Sequence, residues 1–252
     1  MRRLLLLTNR HRTPSTNQAL GMLLAAVAGS VNAGGFMAMQ QYTSHMSGFA
    51  SQLADGLVLG SSTMMLTAAG AILAFATGAA TTAILVNFGR RRRLQKIYAL
   101  PLLLEALLLF PFGLLGALTL SWPTPFAMPA TVLLLSFMMG LQNAVGSKTS
   151  GGSIRTTHMT GNITDLGMEI GKVLYVNGKR AADSRPVRGD WHRIQRSGGL
   201  LLAFVTGGMA GAAGFQSVGF VFVVPLAVLL LILAAAPSQA RPRKNRVFAE
   251  SP

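Results

Sequence analysis

Two histidine-centred segments hold the residues of this chain that are best suited to chemistry. The segment Thr-Ser-His-Met-Ser-Gly at residues 43–48 returns as Thr-Thr-His-Met-Thr-Gly at residues 156–161. An imidazole titrates near neutral pH, so it can pass a proton or hold a polar solute. A polar motif that occurs twice in a very apolar chain indicates a duplicated unit with a polar centre.

The motif residues and the amides near them are the candidate substrate-binding groups: His45, Met46, Ser47, Gly48, His158, Met159, Thr160, Gly161, Asn162, Asn32 and Asn143. Two interpretations of the histidines stay open. They could handle a proton or a substrate, or they could satisfy backbone groups that are freed where a helix breaks inside a membrane. The amides could line a polar cavity or bond across helices.

The hydroxyls of Ser47 and Thr160 are predicted helix N-caps, because each precedes a glycine and a helix-like run. A hydroxyl at this position accepts hydrogen bonds from backbone N–H groups that lack an intrahelical partner. A half-helix that starts inside the membrane would also direct its positive dipole end at an anion. Capping and ligand binding are compatible with each other.

Two acids are candidates for proton coupling. Glu105 lies within an apolar stretch between Pro101 and Pro111, where a carboxylate is costly unless it faces the bundle interior or is protonated. It could serve transport or be satisfied locally. Asp165 follows the second motif and could instead be an interfacial acid in water.

Composition places these residues in a membrane protein. The 252 residues are 51% hydrophobic and 12% charged, whereas about 25% charged residues are usual in soluble domains. The net charge of +15 does not indicate nucleic-acid binding, because the basic residues occur in short runs between apolar stretches. Those runs are suited to anionic lipid headgroups.

The sequence motifs that mark several kinds of functional site are absent from this chain. The chain has no cysteine, which excludes disulfides and thiolate metal sites. Neither His-x-x-x-His nor Glu-x-x-His spacing occurs, and there is no phosphate-binding loop of the ATP-driven pumps. We therefore expect no metal, no cofactor and no enzymatic activity.

The apolar stretches predict an all-α, polytopic membrane bundle with six transmembrane helices. An apolar helix of about 20 residues crosses a bilayer, and the sequence predicts spans at about 19–39, 63–88, 97–120, 128–145, 198–215 and 218–236. Residues 1–18 and 237–252 are predicted basic cytoplasmic tails around a single transmembrane domain, 19–236. A short turn is expected at 121–125, and a polar basic loop at 172–196.

The positions of the 22 Lys and Arg residues distinguish between two transmembrane topologies. With six spans and both termini cytoplasmic, every basic run falls on the cytoplasmic side, as the positive-inside rule requires. A separate crossing at residues 43–60 would place the arginine run 90–93 outside. This stretch is therefore interpreted as a broken or re-entrant element.

Other short matches recur in the same order as the motifs. Asn-Ala at 32–33 returns at 143–144, and Phe-x-Thr-Gly at 75–78 returns at 204–207. Each unit then has three spans, so the second enters the membrane the opposite way up. The chain is thus predicted to contain two inverted repeats, at about 19–120 and 128–236, as in many secondary transporters.

Two copies of a [ST]-H-M-[ST]-G segment resemble the YoaK-like family. The first copy follows a glycine-rich apolar helix, and the second follows Gly-Leu-Gln-Asn-Ala at 140–144. The resemblance covers roughly residues 18–236, although Phe49 stands in the first copy where the family pattern has Asn. It implies a bacterial inner-membrane protein with six spans and a domain of unknown function, and it supplies no substrate.

Two functions remain open from the sequence. The inverted repeat and the polar breaks favour a secondary transporter or permease for a small polar or anionic solute, bound between the repeats. The alternative is a non-transporting membrane scaffold or assembly protein, in which the motifs are structural helix breaks. Expected partners are the lipid bilayer, anionic lipid headgroups and an unknown solute; homo-oligomerisation is left open.

Overall fold

The computed structural model describes residues 13–122, 127–152, 154–177 and 186–235, and all regular structure in these ranges is helical. The helices are α1 Pro14–Met39, α2 Met46–Leu59, α3 Ser62–Arg91, α4 Ala99–Ser121, α5 Ala127–Ser150, α6 Met159–Leu174, α7 Trp191–Val218 and α8 Val223–Ala235, with a 3₁₀ turn Gly219–Phe222 before α8. The all-α prediction is confirmed. The C-terminal tail, most of the N-terminal tail and most of the turn at 121–125 lie outside the described residues.

Five helical stretches in the described part of the chain are long and apolar enough to cross a membrane. They are α1, α3, α4, residues Met128–Ser150 of α5, and the stretch Trp191–Ala235. The sequence predicted six spans. The difference arises because only the 3₁₀ turn separates α7 from α8, so the predicted fifth and sixth spans fall within a single stretch of the chain.

Two predicted boundaries differ from those in the structure, and the first is the start of α1. The first span was predicted from residue 19, but α1 begins at Pro14. Thr13 caps the helix: its hydroxyl accepts a hydrogen bond from the Thr16 N–H at 3.3 Å. Proline at the first helical position is favourable because its missing N–H would have no partner there. The predicted loop 172–196 is likewise shorter, since α6 and α7 extend into it.

Helices α1 and α7 run parallel and cross at very close range. Gly207 packs against the backbone of Ala26, and Phe215 packs against Gly34, so the residue numbers rise together. At the crossing the Ser30 hydroxyl donates to the Gly207 carbonyl at 2.7 Å. Small residues permit this approach of two backbones inside a membrane bundle.

Helices α3 and α5 form a second crossing of the same kind. Gly78 packs against the α5 backbone, and a Cβ on Gly70 would lie 3.0 Å from Leu133. The Thr82 hydroxyl donates to the Leu141 carbonyl at 2.8 Å. These helices are also parallel. Glycines therefore permit close backbone packing at both crossings.

Helix α4 runs antiparallel to both of its main neighbours. Against α8, Gly116 packs on Phe220 of the preceding turn, and the Lys96 ammonium donates to the Ala234 carbonyl at 3.3 Å. Against α5, contacts join the start of α4 to the end of α5. One hydrophobic core links α1, α3, α4, α5 and α8.

Helices α2 and α6 are short and pack against the long helices that follow them. They have 14 and 16 residues, and neither is among the candidate spans, which agrees with the prediction that 43–60 is not a crossing. A Cβ on Gly146 of α5 would lie 3.2 Å from Thr156, and a Cβ on Gly198 of α7 would lie 3.9 Å from Leu166. Helix α6 therefore returns along α7 towards the end at which α7 begins.

One buried carboxylate ties the end of α6 to the start of α7. Glu169, with 3% of its side chain exposed, accepts a hydrogen bond from the Lys172 ammonium at 2.7 Å. It also accepts one from the Asp190 N–H at 2.8 Å, and the Arg193 guanidinium lies 3.8 Å away. The Lys172 hydrogen bond, followed by that of the Asp190 N–H, lowers the pKa of Glu169 from its ordinary value of 4.5.

Because folding lowers this pKa, the Glu169 contacts stabilise the protein above about pH 4.5 and lose their effect as the pH falls through the folded-state value. We expect Glu169→Gln to lower the melting temperature near neutral pH and to flatten its decline below pH 4.5. Thermal unfolding in detergent from neutral to acidic pH measures this. Asp165→Asn, an exposed acid on the same helix, is the control. Identical pH profiles for wild type and Glu169→Gln would contradict the expectation.

Candidate functional site

Each histidine motif forms the start of a short helix. Helices α2 and α6 begin at Met46 and Met159, so His45 and His158 are the N-cap residues. Neither makes a side-chain capping hydrogen bond. The prediction that Ser47 and Thr160 are N-caps is wrong, because the chain adopts helical geometry before it reaches the hydroxyls.

The glycine of each motif makes room for the imidazole. A Cβ on Gly48 would overlap the ring of His45, and a Cβ on Gly161 would overlap the ring of His158. Each ring therefore lies over the first turn of its own helix. In the described part of the chain neither imidazole has a hydrogen-bond partner, so the interpretation of the histidines as satisfying freed backbone groups finds no support there.

The two motifs have the same pattern of exposure. Thr43 and Thr156 are 1% and 0% exposed, and the hydroxyl oxygens of both lack a hydrogen-bond partner. The histidines that follow are exposed. Phe49 and Asn162, which follow the glycines of the two motifs, are both buried. The two segments are thus close structural copies despite that substitution.

Both motif segments contribute to one cavity. It has a volume of about 610 Å³ and lies against α1 and α7. It is lined by Gly29, Asn32, Ala33, Phe36, Met37, Tyr42, Ser44, His45, Thr157, Met159, Thr160, Phe204, Val205, Gly208, Met209 and Ala212. Segments that are more than a hundred residues apart in the chain therefore meet around a single space.

The polar side chains of this cavity are hydroxyls, one amide and one imidazole. The Asn32 side-chain oxygen accepts a hydrogen bond from the Ser44 hydroxyl at 3.2 Å, and His45, Thr157 and Thr160 add further polar atoms. No Asp, Glu, Lys or Arg lines it. Since α6 starts at its wall, the N–H groups of the first helical turn and the positive end of the helix dipole lie beside the cavity.

The structure brings only some of the predicted site residues to this cavity. Asn32, His45, Met159 and Thr160 line it, whereas the other predicted residues do not: Met46, Ser47, Gly48, Glu105, Asn143, His158, Gly161, Asn162 and Asp165. Gly48 instead lines a smaller neighbouring cavity of about 230 Å³ with His45 and Gln52. Asp165 is exposed on α6, and Glu105 is fully buried on α4.

One wall of the cavity was missed by the sequence interpretation. Helix α7 supplies Phe204, Val205, Gly208 and Met209, none of which was named as a site residue. The sequence feature that could have indicated this wall is the repeated Phe-x-Thr-Gly segment at 204–207. It was used only to align the repeats. Tyr42 was also missed, although its ring stacks on Phe36 with centroids 4.7 Å apart.

Residues 20–236 match the model of a family described as a protein of unknown function, DUF1275. The chain belongs to this family. Family membership and the apolar helices together identify a membrane-embedded protein. No curated protein and no solved structure matches the chain. The expected family of unknown function is confirmed over most of the chain, and the YoaK-like name stays a resemblance.

Proposed function

We propose that this DUF1275 protein is a secondary transporter or permease that binds a small polar or anionic solute in the cavity between two inverted units. The observation that carries the proposal is the meeting of both motif segments around one space. A structural helix break needs no cavity. A volume of about 610 Å³ is within the usual range of small-molecule sites, about 300–1,000 Å³.

The helix directions support the inverted arrangement. Helices α1 and α7 run parallel, as do α3 and α5, and each of these pairs joins one unit to the other. Gly78 and Gly207, the glycines of the repeated segment, both pack against the backbone of the partner helix. Six crossings follow if α7 and α8 cross separately, and three crossings per unit make the second unit the inverse of the first.

The cavity lining favours a solute that has hydrogen-bonding groups and is either neutral or negatively charged. Neutral hydroxyls and an amide offer donors and acceptors, while the first turn of α6 and the imidazole of His45 favour an anion. A cation would find no carboxylate on the lining. The methionine and phenylalanine side chains can cover a short apolar part of the solute.

The charge distribution supports a bacterial inner-membrane location with both termini in the cytoplasm. With six crossings, the basic runs at residues 90–96 and 172–196 face the same side, which the positive-inside rule assigns to the cytoplasm. Those runs would contact anionic lipid headgroups at about 1 kcal/mol for each basic residue near the surface.

A thermal-shift screen of metabolites on the purified protein tests the function. A solute present at about 100 times its Kd stabilises the folded state by about 2.7 kcal/mol. We expect one class of polar or anionic compound to raise the melting temperature of wild type, and His45→Ala to reduce this rise. His192→Ala, an exposed histidine outside the cavity, should retain it.

Flux in liposomes provides the second measurement. The stabilising compound should cross the membrane only when the protein is present. If no compound binds, no solute moves, and His45→Ala rescues a deletion phenotype fully, the transporter proposal is wrong. The scaffold alternative would then be favoured.

A further inference from the structure

A second, smaller cavity lies directly beside the solute cavity. Its volume is about 230 Å³, and its lining comes from the end of α1, the loop that follows and the first turns of α2. Three residues line both cavities: Phe36, Tyr42 and His45. The two spaces therefore adjoin, with these three side chains at their boundary.

Both cavities follow one face of α1. Gly29, Asn32 and Phe36 line the solute cavity at helical spacing, and Gln40, the C-cap residue of α1, lines the small cavity. The helical rise from Gly29 to Gln40 is about 16 Å, which is about half the thickness of a bilayer core of about 30 Å. Together the two cavities extend from the end of α1 to about the middle of this helix.

Apolar side chains fill the space at the other end of the solute cavity. Phe204, which lines that cavity, packs against a buried cluster of Ala25, Ile154 and Leu200. Ile154 also lies directly against Gly21, where a Cβ would overlap its side chain. The small cavity and this cluster therefore lie at opposite ends of the solute cavity.

The lining of the small cavity is rich in carboxamides. Gln40, Gln41 and Gln52 contribute one each, and a carboxamide can both donate and accept hydrogen bonds. Tyr42 and His45 add a phenol and an imidazole. No Asp, Glu, Lys or Arg of the described chain is among the lining residues. Such a lining is suited to the hydroxyl, amide or carbonyl groups of a solute.

We propose that the small cavity is an outer subsite of the solute path, where glutamine carboxamides bind the neutral polar groups of a solute before it enters the solute cavity. This inference rests on the proposed transport function. The rings of Phe36 and Tyr42, with centroids 4.7 Å apart, lie at the boundary between the cavities. Tyr42 belongs to the loop after α1 and is 53% exposed, so it is the ring that turns aside. In the proposed topology this end of α1 faces the outside.

Single introduced thiols test the route, because the chain contains no cysteine. Thr160→Cys places a thiol in the solute cavity. We expect an anionic, membrane-impermeant methanethiosulfonate reagent added outside intact cells to modify it. Adding Gln52→Phe, which places a ring in the small cavity, should slow the modification about tenfold, equivalent to about 1.4 kcal/mol on the barrier to entry.

Ser51→Phe in the same Thr160→Cys background is the matched control, because Ser51 is an exposed neighbour on α2 that lines neither cavity. It should leave the modification rate unchanged, and the melting temperature of each variant shows that it is folded. Failure of the reagent to reach Thr160→Cys from outside would overturn the proposal. Equal rates in the Gln52→Phe and Ser51→Phe variants would overturn it as well.

Gln52→Leu tests the chemistry of the subsite, because leucine is similar in size but forms no hydrogen bond. For the solute that stabilises wild type in the thermal-shift screen, the half-saturating concentration for uptake should rise about three- to tenfold, the usual effect of one lost hydrogen bond. The maximal rate should stay near that of wild type. An unchanged half-saturating concentration would show that Gln52 does not bind the solute and would overturn the subsite.

The thiol measurement requires no solute, so it separates this inference from the transport function. If Gln52→Phe slows the modification but no solute is found, transport alone is rejected and the small cavity stands as the entrance to the larger one. If a solute binds and crosses while the modification rate is the same with and without Gln52→Phe, the outer subsite alone is rejected.

Discussion

Gly207→Val is expected to prevent formation of the native bundle. A side chain at this position would overlap the carbonyl oxygen of Ala26 on α1, and the Gly207 carbonyl also accepts the Ser30 hydrogen bond. Because the obstacle is backbone rather than a movable side chain, α1 and α7 must separate. Overpacking costs about 1–3 kcal/mol where side chains can adjust, and we expect a loss above that range.

The neighbouring residue provides the control. A Cβ on Gly208 would have an ordinary contact of 3.7 Å with the Gly29 carbonyl oxygen, so Gly208→Ala should leave stability nearly unchanged. Thermal unfolding and size-exclusion profiles in detergent measure both variants. A Gly207→Val variant as stable as wild type would show that α1 and α7 do not pack closely at Gly207.

Gly208→Phe is expected to abolish solute binding without unfolding the protein. Gly208 lines the cavity and tolerates a Cβ, so a phenyl ring attached there would occupy the space between α7 and the motif segments. A ring of this size takes up much of the volume that a small solute needs. The variant should lose the thermal stabilisation by the solute and should lose flux entirely.

Gly167→Phe is the matched control for that substitution, because a Cβ on Gly167 on α6 meets nothing within 4 Å. It should bind and transport like wild type. The measurements are the ligand-induced thermal shift and liposome uptake, each compared at equal amounts of folded protein. Full uptake by Gly208→Phe would show that the solute does not pass through this cavity.

The helices were largely predictable because membrane spans depend on local composition. A run of about 20 apolar residues is sufficient to specify a crossing, and the positions of α1, α3, α4 and α5 follow from such runs. The helix starts were less predictable. Thr13 caps α1 with its hydroxyl, whereas the two histidines begin their helices without a side-chain capping bond, which residue types alone do not specify.

The candidate site was predictable only in part. The repeat identified His45, Met159, Thr160 and Asn32, which do line the cavity. Phe204 and Gly208 were missed because they are ordinary residues of an apolar helix, and they line the cavity only because α7 crosses α1.

The sequence by itself determined that this is an apolar helical protein with a duplicated polar motif, because composition and repetition are properties of the chain. It also showed that each motif has a glycine three residues after its histidine, and the packed imidazole ring supplies the reason. The tertiary structure decided that the segments around residues 45 and 158 line one cavity and that α7 forms one of its walls. Both depend on helix crossings at which small residues let backbones meet, and such contacts join positions that no local pattern relates.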